Sequence, residues 1–448
     1  MQEAAHSTLL RGSRRQLHAH IAETLEAHFP ELLDSQPERF AQHYTEAGLA
    51  EKSVAFWGKA GQRSAARSAM AEAAAQLQKG LDQLSQLPDA TGRQQQKLEF
   101  WTALCPVLNA AKGSAAPETV QAYAQARELW ERLGSPSEFI QIPYGQSRSH
   151  LNRGEFEQAL RLDEDLLRLS RRRNDTGGLV LGHAATGANL MLTGRFTISR
   201  SHLERVLELY DPLIHHSLVH QAEMHPQNYS QSLLGIALFC LGFPEKALAR
   251  SSAAIAEARR LNYLPSLALS LSYGARLLSL DGDNAILGEC MRELVTVATE
   301  QRFPLWRAHG AILRGWLNVK NGDVAGGISL LRSGLSAYRA TRATAGTTQY
   351  IALLARACEV AGEVEEAVSL FDDGLQVVER TGERWFAAEL NRHKGQLLLR
   401  QGNADTAEEL YRTALSIAEE QEAKLWELAR LRQPRRTPPR SGAPHRSP

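Results

Sequence analysis

GEVEEAVSLFDDGL (Gly362–Leu375) and GNADTAEELYRTAL (Gly402–Leu415) begin forty residues apart and share the pattern that decides the fold. Their first residues belong to a series of glycines: Gly154, Gly194, Gly242, Gly282, Gly322, Gly362 and Gly402. Neighbouring glycines are forty residues apart, except that Gly194 and Gly242 are forty-eight apart. This spacing is typical of one supersecondary unit copied along a chain, and we expect its units to contact only their neighbours. The pattern favours an extended binding surface over a closed catalytic pocket.

Small residues recur at fixed distances from these glycines. Five residues after the glycine stand Ala159, Ser199, Ala247, Ala367 and Ala407, and seven before it stand Gly187, Gly235, Gly315, Ala355 and Gly395. Apolar residues at helical spacing surround them. The pattern predicts a helical hairpin whose glycine ends the first helix in a left-handed conformation. The small residues would then let the two helices cross closely.

The composition narrows the class of protein. Of the 448 residues 43% are hydrophobic and 23% are charged, and the net charge is +1. Such a balance creates no overall field that would attract nucleic acid or an anionic membrane. Residues with high helix propensity are abundant. We therefore predict an all-α fold, a right-handed α-solenoid with a period of about 40 residues, and neither a nucleic-acid nor a membrane partner.

The cysteines and the apolar segments indicate a cytoplasmic location. Cys105, Cys240, Cys290 and Cys358 form no CxxC pair or disulfide framework, so we expect reduced, buried thiols. The first residues lack the apolar core of a signal peptide. The longest apolar stretch, near residues 233–241, is too short to span a bilayer.

The spacing from Gly395 through Gly402, Ala407 and Tyr411 to Ala414 resembles the tetratricopeptide repeat. The usual period of that repeat is about 34 residues, so a period of forty implies longer helices. We expect a helical segment at residues 1–38 and repeats at residues 39–429. Residues 430–448 are rich in proline and arginine, and we expect a disordered tail. The tail is either a basic segment for an acidic partner or the product of a frameshift.

Several phrases are similar, in order, to the C-terminal region of bacterial STAND-type signalling ATPases that are often fused to a class III adenylate/guanylate cyclase domain. They are LLRGSRRQLHAHIAETLEAHFPE (9–31), AAPETVQAYAQARELWERLG (115–134), FPLWRAHGAILRGWLNVKNGD (303–323) and TGERWFAAELNRHKGQLLL (381–399). The resemblance implies that the chain is the detached regulatory half of such a protein. Its partner would then be an upstream ATPase or cyclase domain.

The sequence itself carries no sign of that chemistry. It has no G-x-x-x-x-G-K-[ST] phosphate loop and no strand-rich region for the metal-binding aspartates of a cyclase. We therefore predict a non-catalytic chain without a cofactor. The alternative is that it forms part of a nucleotide-hydrolysing or cyclase enzyme whose catalytic domain is absent.

The inner side of the solenoid is the predicted site for a protein, a peptide or a small ligand. Arg148, Arg276 and Arg356 hold equivalent positions and could form a ladder for carboxylates or phosphates. Each could equally be an ordinary surface charge. The full set of predicted groove residues is Gln141, Tyr144, Arg148, Tyr229, Ser232, Arg276, His309, Trp316, Gln349, Arg356, Glu359, Arg392 and Gln396.

A cluster of histidines offers a weaker alternative, a metal-responsive sensor. IHHSLVHQAEMH (214–225) lies in the forty-eight-residue interval. His216 and His220 would share a helix face if the segment were one helix, and that spacing can hold zinc. The simpler interpretation is a solvated loop. The run Arg171–Arg173 similarly reads as a solvated helix end.

Overall fold

The computed structural model describes residues 11–431 apart from residues 68, 89–90, 217, 222–223 and 282–283. Within these ranges every regular element is a helix and none is a strand. The helices pack in sequence order as a row of hairpins, so the expected all-α solenoid is confirmed. The described helices include none long and apolar enough to cross a membrane.

In the part of the chain that the structure describes, seven α-helices and the short 3-10 helix Ser137–Phe139 precede the regular array. The α-helices are α1 (Arg11–His28), α2 (Leu32–Ser35), α3 (Pro37–Ala47), α4 (Ala50–Ala66), α5 (Met70–Ser85), α6 (Thr91–Lys112) and α7 (Pro117–Arg132). Helix α1 packs against α3, where Ala22, Phe40 and Tyr44 form a small apolar cluster. The Tyr44 hydroxyl donates a hydrogen bond of 2.6 Å to Glu26. The division into residues 1–38, 39–429 and 430–448 stays a prediction, and residues 432–448 lie outside the described ranges.

The regular array consists of hairpins with a first and a second helix. The first two pairs are α8 (Gln141–Asn152) with α9 (Phe156–Arg173) and α10 (Thr176–Leu192) with α11 (Phe196–Leu209). Two short helices follow, α12 (Pro212–His215) and α13 (Leu218–Gln221). The third pair is α14 (Pro226–Cys240) with α15 (Pro244–Leu261). The pairs continue with α16 (Leu264–Asp281) and α17 (Asn284–Glu300), α18 (Pro304–Lys320) and α19 (Val324–Ala340), α20 (Thr347–Ala361) and α21 (Val364–Thr381), and α22 (Ala387–Arg400) and α23 (Ala404–Glu420), followed by α24 (Lys424–Leu431).

The predicted role of the repeated glycines is confirmed at the six that the structure describes. Their φ angles lie between 75° and 94°, a region that costs a residue with a Cβ atom free energy. Gly282 lies outside the described residues. The left-handed residue at this position ends the first helix and turns the chain into the second.

The predicted close crossing of the two helices is also confirmed. A Cβ atom on Gly315 would lie 2.8 Å from the carbonyl oxygen of Gly327 and 2.8 Å from the amide nitrogen of Leu331. In an earlier hairpin the Ser199 hydroxyl donates a hydrogen bond of 2.7 Å to the carbonyl oxygen of Gly187. Backbone thus approaches backbone at these positions, and a larger side chain would force the helices apart.

The hairpins do not contact only their neighbours, and here the expectation from the sequence is wrong. The amide groups of Thr344 and Ala345 donate hydrogen bonds of 2.8 and 3.2 Å to the carbonyl oxygen of Asn152. Asn152 ends α8, and its carbonyl would otherwise lack a helical partner. A loop thus packs on the turn of a hairpin that lies four hairpins earlier in the chain. We call this packing the inter-turn contact.

The inter-turn contact recurs one repeat further along. Arg384 and Trp385 donate amide hydrogen bonds of 3.0 and 3.1 Å to the carbonyl oxygen of Leu192, the last residue of α10. Residues 384 and 192 each lie forty positions after residues 344 and 152. The superhelix is therefore tight enough that its successive turns touch, and one apolar core runs from Val54 to Trp426.

Candidate functional site

The first helices of the hairpins form the inner layer of the superhelix, because they contact one another from hairpin to hairpin. All the predicted groove residues lie on these helices. Seven of them are buried, namely Tyr144, Tyr229, Ser232, Arg276, His309, Trp316 and Gln349. Gln141, Arg148, Arg356, Glu359, Arg392 and Gln396 keep partly exposed side chains. The inner layer is therefore filled by its own side chains over much of its length, and the assignment of these residues to a ligand groove stays a prediction.

Arg148 contacts side chains of the chain itself. Its guanidinium carbon lies 4.9 Å from the ring centroid of Tyr229 and 5.8 Å from that of Tyr144. One of its nitrogens donates to the sulfur of Met224 at 3.1 Å. These contacts hold the side chain between the first helices α8 and α14.

Arg276 is only 3% exposed. Its guanidinium donates a hydrogen bond of 3.1 Å to the carbonyl oxygen of Gly346. Its carbon lies 4.7 Å from the ring centroid of Tyr350 and 5.4 Å from that of Trp385. Arg276 thus fixes the loop that makes the inter-turn contact, and the prediction that it faces a ligand is corrected, since aromatic rings enclose it.

Glu383, which the sequence analysis did not identify, is buried in the same region. Its carboxylate accepts hydrogen bonds from the amide of Gly346 at 2.9 Å and from the indole of Trp385 at 3.1 Å. It also accepts from the amide and the hydroxyl of Thr348. Burial raises the pKa of Glu383, whereas Thr348, Gly346 and Arg276 act in the opposite direction. The group organises the loop and lies away from solvent.

His309 belongs to this buried polar network. Its Nδ1 lies 2.7 Å from the hydroxyl of Ser272 and 2.8 Å from that of Tyr350. Burial, with help from Arg276, lowers the pKa of His309 well below its ordinary value, so the ring is neutral at pH 7. A neutral ring can accept hydrogen bonds at Nδ1.

A second buried acid, Asp163, lies on α9 and was also missed. The Ser147 hydroxyl donates to one carboxylate oxygen, and the other oxygen has no hydrogen-bond partner among the described residues. Burial raises the pKa of Asp163 well above its ordinary value. Asp163 continues the buried stripe of Ala159, Leu166 and Leu167 at helical spacing, which is the signal that could have revealed it.

Partly exposed side chains lie at both ends of the inner layer, with Gln141 and Arg148 near its N-terminal end and the others near its C-terminal end. Arg392 on α22 forms two hydrogen bonds with the carboxylate of Glu389, at 2.6 and 2.7 Å. Burial opposes ionisation of Glu389, but hydrogen bonds from Arg392 and His393 lower its pKa to about 2. Glu389 is thus an anion at pH 7, and it neutralises Arg392. Glu359 forms an equivalent ion pair with Arg400.

A cleft opens beside this ion pair, between α22, α23 and α24. It is lined by Ala388, Glu389, Arg392, Tyr411, Ala414, Leu415 and Trp426. The indole nitrogen of Trp426 is buried and has no hydrogen-bond partner among the described residues. The cleft therefore joins apolar and aromatic surface to a paired guanidinium.

The histidine cluster does not form the expected helix face. His216 is exposed and lies between two four-residue helices, α12 and α13, so no continuous helix carries both His216 and His220. The side chain of His220 and the whole of Glu223 lie outside the described residues. His215 and His225 are buried, with Nε2 atoms 2.9 Å from the Thr176 hydroxyl and 3.1 Å from the Tyr210 hydroxyl.

The cysteines are reduced and buried in the structure. Cys358, Glu363 and Glu366 come close enough together to hold a metal ion, but only Cys358 is buried. Arg332 already pairs with Glu366 at 2.7 Å and with Glu363 at 3.5 Å. Burial raises the pKa of Cys358 to about 12, which disfavours the thiolate that a metal needs.

Comparison with known proteins agrees with this geometry. Residues 345–420 match the family model of the tetratricopeptide repeat. The matched segment contains α20, α21, α22 and α23 whole. The predicted resemblance to this repeat is therefore confirmed for that segment.

Longer similarities are weaker in sequence. The chain is 25% identical over 428 residues to an uncharacterized protein of Rhizobium meliloti (strain 1021), and the match covers 94% of this chain and 41% of that protein. A Rap protein solved in complex with Competence and Sporulation Factor has a TM-score of 0.55 and 12% identity, over 83% of this chain and 99% of its own. The apo form of RapI has a TM-score of 0.39 and 14% identity, and the match covers 73% of this chain and 99% of that chain. The likeness to the first Rap structure establishes a shared fold.

Proposed function

We propose that this chain is a non-catalytic module that holds a protein or peptide segment against the C-terminal end of its inner layer. The observation that carries the proposal is the change in exposure along that layer. Arg356, Arg392 and Gln396 are partly exposed, whereas Arg276 and Gln349 in the middle of the layer are buried. Gln141 and Arg148 are also partly exposed, but at the opposite end of the layer. A ligand can contact the C-terminal end without displacing the core. A small organic ligand bound at this end would use the same surface.

The nature of the fold supports an interaction role. A Rap protein of similar fold has been solved in complex with Competence and Sporulation Factor, so a solenoid of this kind can hold a second molecule. The identity of 12% concerns the fold alone, and the ligand of this chain has to be found by experiment.

We further propose that the module acts in a bacterial signalling protein of the STAND ATPase type with an adenylate or guanylate cyclase domain. The ordered phrases quoted above support this context. The chain spans about two fifths of the length of its Rhizobium relative, and a parent of similar length would have room for such domains. Ligand binding would change contacts between hairpins that restrain the upstream domain.

Capture on an array of random synthetic peptides tests the interaction role. Gln396→Trp on the inner layer should abolish capture, because the larger ring fills the space of the ligand. Thr413→Trp, on the exposed face of α23, is the matched control and should bind like the unmodified chain. No captured peptide, or equal capture by Gln396→Trp, would contradict the proposal, as would ATP or GTP turnover that survives stringent purification.

A further inference from the structure

Arg356 differs from the two arginines at equivalent positions. Arg148 donates to Met224, and Arg276 donates to the carbonyl oxygen of Gly346. Arg356 is half-buried, and among the described residues no oxygen accepts a hydrogen bond from it. Its guanidinium carbon lies 4.7 Å from the ring centroid of Trp316, one hairpin earlier. The guanidinium therefore lies over the indole ring.

The surroundings of Arg356 lack a compensating charge. Arg392 is paired with Glu389, and Arg400 is paired with Glu359. Arg356 and these four side chains together carry three positive and two negative charges, so one positive charge remains. Burial and the nearby Arg392 lower the pKa of Arg356, while Glu389 and Glu359 oppose them in part. The guanidinium is thus a half-buried cation whose charged neighbours are already paired with one another.

We propose that Arg356, stacked on Trp316, binds a single carboxylate of an acidic peptide. The planar guanidinium offers two parallel N–H donors that match the two oxygens of a carboxylate. The local excess of one positive charge fits a monoanion better than a doubly charged phosphate. The proposal rests on the proposed function, because it names the chemistry of the segment held at the C-terminal end of the inner layer.

Paired peptide arrays test this site. Each captured peptide is synthesised with Glu, with Gln and with phosphoserine at every acidic position, and each version is bound to the full chain. The unmodified protein should prefer Glu over Gln by about tenfold, the worth of one charge-assisted bidentate contact. Arg356→Gln should lose this preference. Arg356→Lys, which keeps the charge but not the planar pair of donors, should retain only part of it.

Arg412→Gln is the matched control, because Arg412 is exposed on α23 with a side-chain exposure of 74%. It should leave the preference unchanged, and thermal unfolding of all variants checks that they are folded. An unchanged Glu preference in Arg356→Gln would overturn the assignment while leaving the proposed function intact. A stronger preference for phosphoserine would also overturn it. If no peptide is captured at all, the proposed function fails and this inference fails with it.

Discussion

The amide of Thr344 donates a 2.8 Å hydrogen bond to the carbonyl oxygen of Asn152, across a gap of four hairpins. The same relationship joins Arg384 to Leu192. Both acceptors are last residues of first helices, so the loop supplies the hydrogen bonds that a helix C-terminus lacks. The repeat array consequently gains long-range contacts that a row of independent units would not have.

The glycines at the hairpin turns provide a direct test of this packing. Gly194 and Gly402 have φ angles of 81° and 88°. A Cβ atom on Gly194 would lie 2.2 Å from Nε2 of Gln421, whereas a Cβ atom on Gly402 would meet nothing within 4 Å. Gly402→Ala should cost about 1 kcal/mol through its left-handed backbone. Gly194→Ala should cost about 1 kcal/mol more, because Gln421 must give up its hydrogen bond to Arg384.

Chemical denaturation of the two glycine variants measures this difference. Equal losses of unfolding free energy would mean that the turn at Gly194 does not pack against the next superhelical turn. Gly362→Ala serves as a second control, because a Cβ atom there also meets nothing within 4 Å.

The helix crossing at Gly315 gives a second prediction. A Cβ atom added at Gly315 would lie 2.8 Å from the backbone of α19. Gly315→Ala should therefore force α18 and α19 apart and lower the free energy of unfolding by about 2 kcal/mol. Gly288 lies within α17, and its Cβ atom would meet only side-chain atoms at 3.5 Å or more. Gly288→Ala should stabilise the protein by about 0.5 kcal/mol through helix propensity. Urea unfolding would distinguish these opposite signs, and a neutral Gly315→Ala would argue against the close crossing.

Removal of the buried carboxylate at Glu383 should destabilise the protein strongly. Glu383→Ala leaves buried donors on Gly346, Thr348 and Trp385 without an acceptor, and we expect a loss of about 3 kcal/mol. Glu420→Ala removes an exposed ion pair with Arg384 and should cost less than about 1 kcal/mol. Calorimetric unfolding compares the two variants. A similar small loss for both would show that the network at Glu383 contributes little.

Stability should fall in mildly acidic solution, in part through His225. Burial lowers the pKa of His225 to about 4, whereas an unfolded histidine has a pKa of about 6.5. The unfolded chain therefore binds this proton first. The contribution of His225 is complete above pH 6.5 and is lost as the pH falls toward 4. Protonation would also remove Nδ1 as the acceptor of the Asn228 amide at the start of α14.

His225→Asn tests this pH dependence, because asparagine can still accept a hydrogen bond at the start of a helix but does not titrate. Its unfolding free energy should fall less steeply than that of the unmodified protein between pH 6.5 and pH 4. An unchanged slope in His225→Asn would exclude His225 as a source of the acid sensitivity.

Local features of the fold could be predicted from the sequence. Gly402 and Ala407 mark a turn and a close crossing through their own conformational and steric properties, so a short pattern suffices. The inter-turn contact could not be predicted in this way. It depends on small rotations that accumulate over several hairpins, and nothing in the residues around Thr344 shows that they will meet Asn152.

The sequence could predict which helices carry the candidate residues, but not the environment of their side chains. The register of the repeat correctly assigned Arg276 and Arg356 to first helices, because the helical period fixes that register. It could not show that Tyr350 and Trp385 would enclose Arg276, because those rings come from later hairpins. Glu383 and Glu389 were missed because acidic residues are seldom buried, and a single sequence does not reveal the donors that stabilise them.

Hydrogen exchange resolved to single amides in the full chain tests the closure of the superhelix most directly. The account predicts that the amides of Thr344, Arg384 and Trp385 exchange as slowly as amides inside α8 and α10, because they donate to Asn152 and Leu192. Exchange of these three loop amides at the rate of unstructured peptide would contradict the account and would mean that the repeats contact only their neighbours.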